Sequence, residues 1–225
     1  MVLLLISEVR KILNIGNIMS IKIKQAKVED VEFLAHMMLL SSRADKKDGL
    51  FDLIFGTNDD GVIIEKLKQL AQTQAQSHCH YKNFLIAELD GKSVGSLCSY
   101  EPRIATKEAF IDALKEIGCD DTIHATLELV YGCDFHLTKN TLMFDFMEEL
   151  EGFIDVGVLK ALMQKSLLTA RLKGYAKAHT IIEIGALETE LFYKKLGFKF
   201  VDELECESYR EVFGRNGLML LSIEF

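Results

Sequence analysis

The chain has 225 residues, of which 49% are apolar and 27% charged, with a single proline, Pro102. That length and balance describe a soluble globular protein with a real core, read as one domain because no Pro- or Ser/Gly-rich stretch offers a linker. The formal net charge of −8 argues against a nucleic-acid or anionic-membrane partner, since both require a basic surface.

Residues 1–18 read as an N-terminal extension ahead of a domain over 19–225. The opening MVLLLIS is too short for a membrane span and lacks the basic flank of a secretory signal. IKIKQAK (21–27) alternates apolar and polar residues, as a half-buried strand does. VEDVEFLAHMMLLSS (28–42) places Val31, Leu34, Ala35 and Met38 on one helical face, with Glu29 and Asp30 suited to the helix N-terminus. DGVIIEKLKQLAQTQAQ (60–76) is a second amphipathic helix. NFLIAELDGKSVGSLCSYEP (83–102) reads as a hairpin whose Asp-Gly pair supplies the positive φ of a tight turn. TKEAFIDALKEIG (106–118) is a helix with Gly118 at its C-terminal end. ATLELVYG (125–132) and TLMFDFMEE (141–149) are strand candidates, the first also readable as a helix. LKALMQKSLLTARLKG (159–174) is a long helix, AHTIIEIG (178–185) a β-branched strand, and ETELFYKKLGF (188–198) a short helix closed by Gly197. KFVDELE and NGLMLLSIEF are terminal strands.

Chemistry-bearing residues are sparse. The five cysteines are odd in number and lack CxxC spacing, which predicts reduced thiols and a cytoplasmic protein. Cys98 and Cys133 would need a neighbouring base to act as nucleophiles, so buried inert thiols are expected. His78-Cys79-His80 has no partner pair elsewhere and reads as a polar loop, with no metal expected. ELEGFIDVGVLKAL (149–162) joins a strand to a helix N-terminus, where backbone N–H groups hold anions, yet it carries an aspartate, Asp155, and no basic residue before the helix. Residues 103–140 form a long insert, expected to carry a helix and further structure.

ETELFYKKLGFKFVDE, following a β-branched strand and preceding another, resembles the end of a GNAT acyltransferase, the superfamily of acetyl-coenzyme A-dependent N-acetyltransferases. IKIKQAKVEDVEFLAHMM resembles the family's first strand and helix, FLIAELDGKSVGSLCSYEP its hairpin, and RLKGY followed by AHTIIEIGALETELFYKKLGF its cofactor-binding half. The likeness spans roughly residues 20–203. It implies an α/β fold, with a central, mostly antiparallel sheet of about seven strands flanked by helices and the insert between strands three and four.

The resemblance also implies acetyl-CoA as co-substrate and a primary amine as acceptor, on a small molecule or a protein, while exposed strand edges make a homodimer possible. Counting back from Gly174-Tyr175 puts the family's pyrophosphate loop at Gly152–Gly157. Backbone amides of Ile154, Asp155, Val156, Gly157, Val158 and Leu159 are its candidate donors, although Ile154 and Asp155 replace the family's basic residue and middle glycine. Met147 and Glu149 fall where relatives contact the acetyl group, and Ala186 where an asparagine is common. Tyr193 matches the proton-donating tyrosine, and Glu148 or Glu149 would activate the amine through water. Asp145, Glu148, Glu149 and Glu151 together would make an acidic cleft mouth. The departures in the loop support a second reading, a GNAT fold that no longer catalyses and serves as a binding or regulatory module.

Overall fold

The structure, a computed structural model, describes residues 20–224 apart from 45, 121, 122, 136, 138–140 and 155. The extension 1–18 and Asp155 therefore lie outside the described residues. In chain order the elements are β1 (Lys22–Gln25), α1 (Val31–Arg43), α2 (Leu50–Phe55), α3 (Asp60–Leu70), β2 (Phe84–Leu89), β3 (Lys92–Tyr100), α4 (Lys107–Glu116), α5 (Ile123–Tyr131), β4 (Thr141–Glu149), α6 (Val158–Leu172), β5 (Lys177–Glu183), α7 (Leu187–Lys195), β6 (Lys199–Glu205), α8 (Glu207–Phe213) and β7 (Gly217–Glu224).

The strands form one sheet in the order β1-β2-β3-β4-β5-β7-β6. Every neighbouring pair is antiparallel except β4 with β5. The β2–β3 turn is built on Asp90 and Gly91, both at positive φ (49° and 79°), as a two-residue hairpin loop of this hand requires. The insert between β3 and β4 holds α4, whose first turn is capped by the Thr106 hydroxyl accepting from the Ala109 N–H at 3.2 Å. It also holds α5, which corrects the strand reading of 125–132. That run is short and apolar, and Leu127 alone of its Leu129–Leu127 pair turns fully inward, a pattern a strand and a one-sided helix share. The six-residue α2 and seven-residue α8 were not expected from periodicity at all.

Alternation along the strands divides the core between the two sheet faces. Phe84 and Ile86 of β2 pack with Leu34, Met38, Ile63, Leu67 and Phe110 under α1–α5. Ala87 and Leu89 pack on the other face with Val158, Leu162, Met163 and Tyr193 of α6 and α7.

The expectation of reduced cysteines is corrected at one pair. Cys133, just past α5, is joined to Cys206, just before α8, by a disulfide with a Cα–Cα distance of 6.0 Å. The partners are 73 residues apart, so only the fold brings them together. Cys79, Cys98 and Cys119 are free thiols, the first two buried.

Candidate active site

The β4–β5 ladder has four rungs, from Thr141 opposite Lys177 to Phe144 opposite Thr180. Beyond that rung β4 keeps pairing with β3 as far as Glu149, and β5 keeps pairing with β7 as far as Glu183. Each strand thus keeps its outer neighbour while the two part from each other, leaving a wedge in mid-sheet.

A β-bulge sits at the start of the wedge. Cys98 of β3 faces Asp145 and Ser96 faces Glu148, so β4 carries one residue more than its partner. Phe146 absorbs it at φ +42°, a left-handed conformation that a bulky side chain adopts only under local compulsion. Asp145 contributes to that compulsion, since its Oδ1 accepts from the Phe146 N–H at 2.8 Å. The bulge reverses the alternation of the strand. Phe144 packs on the α6 face and Phe146, two residues on, packs on the α1–α5 face.

Asp145 therefore opens into a chamber of about 570 Å³ between β4 and the insert, walled by Tyr100, Phe110, Tyr131, Phe135 and Met143. Crowding by this wall strips water from the carboxylate and pushes its pKa up to about 6. His78 lies in the same wall, 4.7 Å from the Phe110 ring and stacked on Phe146. Burial pushes its pKa down to about 4, so it stays neutral. The other two residues of the His-Cys-His run serve elsewhere. Cys79 is buried in the core, and His80 Nδ1 accepts from the Lys82 N–H at 3.2 Å in a local turn.

Tyr193 reaches the wedge from the opposite face. Its ring packs edge-on against Phe198 at 5.1 Å, and its hydroxyl approaches Thr180, the last residue of β5 paired with β4. Burial raises the phenol pKa, with the Asp145 charge adding to the shift. The group therefore holds its proton at neutral pH. Glu148 and Glu149 sit further along β4, half-buried and opposite Ser96 and Gly95 of β3. Neither lines the chamber, whereas Asp145 does. The half-buried Met147 packs on the α6 face.

At the open end of the wedge, residues Glu151–Phe153 make a short turn and Gly157 opens α6 at φ +94°. A side chain there would meet no atom within 4 Å, so the approach to this backbone is clear. Two of the amides expected to face a phosphate are already engaged. Ile154 N–H donates to Glu151 O, and Val156 N–H to Phe153 O at 3.2 Å. The amides of Val158, Leu159 and Lys160 stand in the first helical turn, where no intrahelical acceptor exists. Ala186 donates its N–H to Glu183 O at 3.1 Å and leads into α7 with no side-chain cap. The residue that sequence reasoning undervalued is Asp145, grouped there with Glu148, Glu149 and Glu151 as one of four acids at a cleft mouth. No glycine or asparagine marked the bulge that turns it inward.

No family model matches the sequence, and no curated protein sequence matches it. Solved structures do. The chain superposes on an N-acetyltransferase from Staphylococcus aureus Mu50 with a TM-score of 0.68 at 16% identity, over 90% of this chain and all of that one (100%). A structure described as an acetyltransferase gives a TM-score of 0.66 at 17% identity over 90% of this chain and 98% of that one. The PaiA N-acetyltransferase of Thermoplasma acidophilum, solved in complex with coenzyme A, gives 0.52 at 14% identity over 92% of this chain and 100% of that one. The chain thus has the GNAT acetyltransferase fold, including the expected seven-stranded sheet with an insert between strands three and four.

Proposed function

We propose that the protein is an N-acetyltransferase that moves an acetyl group from acetyl-CoA to a primary amine. The observation that carries this reading is the parting of β4 from β5 beyond Phe144 and Thr180, with the α6 N-terminus at its open end. A cleft of this kind admits the pantetheine arm between strands. The amides of Val158, Leu159 and Lys160 together with the helix dipole would hold the pyrophosphate. Gly157 leaves them approachable. Coenzyme A bound to a neighbour of the same fold supports the donor class.

In the reaction the neutral amine attacks the thioester carbonyl, a C–N bond forms and the C–S bond breaks. Tyr193, protonated because it is buried, gives its proton to the departing sulfur. The amine's surplus proton leaves through an acidic group of β4 and water. Glu148 and Glu149 stand along the exit from the wedge. Asp145 stands at the chamber itself. The proposed compartment is the cytoplasm, where the thioester donor is made. Among the described residues no helix is long and apolar enough to cross a membrane.

The absence of a basic side chain from the loop before α6 favours a second reading, a GNAT fold kept as a binding module. Calorimetric titration with acetyl-CoA, followed by turnover on an amine panel, separates the two. Micromolar binding with turnover is expected. A protein that binds no acetyl-CoA at millimolar concentration would end the transferase reading.

A further inference from the structure

Among the described residues Asp145 is an anion without a counter-cation. Around it stand the thiols of Cys79 and Cys98 and the phenols of Tyr100, Tyr193 and Tyr209, all neutral groups whose own pKa values its charge raises. Among the described residues no lysine, arginine or histidine forms an ion pair with it. His78 is held neutral by burial.

Of the other charges in the chamber wall, Lys107 and Asp134 are paired with each other and Glu108 is solvent-exposed. Lys107 pairs with Asp134 at 2.6 Å and also lies 4.5 Å over the Tyr131 ring. Glu108 is engaged by Thr106 and the backbone at the start of α4. Apart from the disulfide-bonded Cys133, the rest of the wall is aromatic or aliphatic. The buried part of the chamber offers one carboxylate, Asp145, so a second cation held at that depth would be desolvated with nothing to meet it.

We propose that the acceptor is a monoamine with a compact, uncharged, apolar or aromatic body, seated in the insert chamber with its nitrogen at Asp145. The inference rests on the transferase reading only for what happens next, since binding of the amine is an event of its own. The site lies on the α1–α5 face, and Tyr193 lies on the α6 face. An amine held at Asp145 would therefore meet a thioester carbonyl in the wedge between them.

The test is calorimetric binding of 2-phenylethylamine, 2-phenylethanol and spermidine to the full chain, without acetyl-CoA, alongside a separate acetyl-CoA titration. 2-Phenylethylamine is expected to bind about tenfold or more tightly than either comparator, the order a charge-assisted contact supplies. Asp145→Asn is expected to remove that advantage. Spermidine binding as tightly as 2-phenylethylamine would overturn the assignment, as would 2-phenylethanol matching it. The amine–alcohol comparison uses the unmodified protein, so it stands whether or not the variant folds. Acetyl-CoA failing to bind while 2-phenylethylamine still requires Asp145 would end the transferase reading and leave the amine site intact.

Discussion

Phe144 and Thr180 form the last rung between β4 and β5, and the two groups proposed to act on the substrates, Tyr193 and Asp145, lie beside it. Tyr193 reaches Thr180 from the α6 face, and Asp145 follows Phe144 directly. The sheet thus acts as a partition that opens at one place. The donor and acceptor sites proposed above lie on opposite faces and would meet through that opening.

The role given to Tyr193 predicts a kinetic signature. Tyr193→Phe keeps the ring against Phe198 and removes only the proton donor. Turnover is expected to fall by about 10²-fold, the range for loss of a general acid, while Kd for acetyl-CoA and for the amine stays within twofold or so. Steady-state kinetics with parallel calorimetry checks this. Unchanged turnover would mean that the sulfur takes its proton from water.

Gly95 of β3 predicts a coupling between the sheet and the proposed phosphate loop. A Cβ there would stand 2.6 Å from Val158 Cγ1 and 2.9 Å from Glu148 O. The missing side chain is what lets the first residue of α6 lie against the strand. Gly95→Ala is expected to push the helix N-terminus outward and weaken acetyl-CoA binding about tenfold or more, with overpacking costing roughly 1–3 kcal/mol in denaturant unfolding. Adding Val158→Ala should restore part of the affinity, because Val158 is the nearer obstacle. Full affinity in the single variant would show that α6 does not depend on this contact.

Gly157 predicts a different kind of sensitivity. At φ +94°, and with no atom within 4 Å of where a Cβ would stand, Gly157→Ala meets no steric neighbour and carries only the conformational penalty, about 1–2 kcal/mol. Relief of that penalty would move the loop, so acetyl-CoA affinity should drop along with the melting temperature. Gly152→Ala is the control, since that glycine has open space around it and no positive φ. Equal effects from both substitutions would argue against a special conformation at Gly157.

Much of this arrangement was readable from the residues. Asp90-Gly91 announced a turn because few other pairs accept positive φ twice in succession. The i, i+3, i+4 spacing of Val31, Leu34, Ala35 and Met38 announced the buried face of α1, and all four are buried. The bulge was not readable, because Phe146 has no intrinsic preference for φ +42°; β3 pairing and the Asp145–Phe146 hydrogen bond impose it. The family register therefore drew attention to Glu148 and Glu149, while the extra residue turned Asp145 into the chamber. The Cys133–Cys206 pair was hidden for a similar reason, since it depends on where α5 and α8 end in space.

The displaced pKa of Asp145 predicts how stability changes with pH. Below about pH 4 the carboxyl is protonated in both folded and unfolded chains, and burial costs nothing extra. As pH rises towards 6 the unfolded chain releases this proton while the folded chain retains it, so stability falls. Above 6 the full penalty persists. Asp145→Asn, which keeps an acceptor for the Phe146 N–H, is expected to raise stability at pH 8 by on the order of 2 kcal/mol and to have little effect at pH 4. His78, with its pKa pushed down to about 4, slopes the other way between 4 and 6.5. The quantity to measure is therefore the difference between variant and parent. A difference that does not vary with pH would mean that Asp145 is not desolvated.

The disulfide predicts a link between redox state and the acceptor site. Cys133 lines the chamber, and its bond to Cys206 ties the end of α5 to the segment entering α8. Cross-linking residues 73 apart removes freedom from the unfolded chain, so replacing both cysteines with serine should cost about 2–4 kcal/mol in unfolding free energy. The native chamber wall loses a tether by the same change. KM for the amine is expected to rise while Kd for acetyl-CoA, whose proposed site is across the sheet at α6, holds steady. Reducing agent should reproduce both effects in the parent protein and neither in the double-serine variant. If it leaves the parent's unfolding midpoint and amine KM unchanged, the insert is held by packing of Ile123, Leu127 and Phe110 alone.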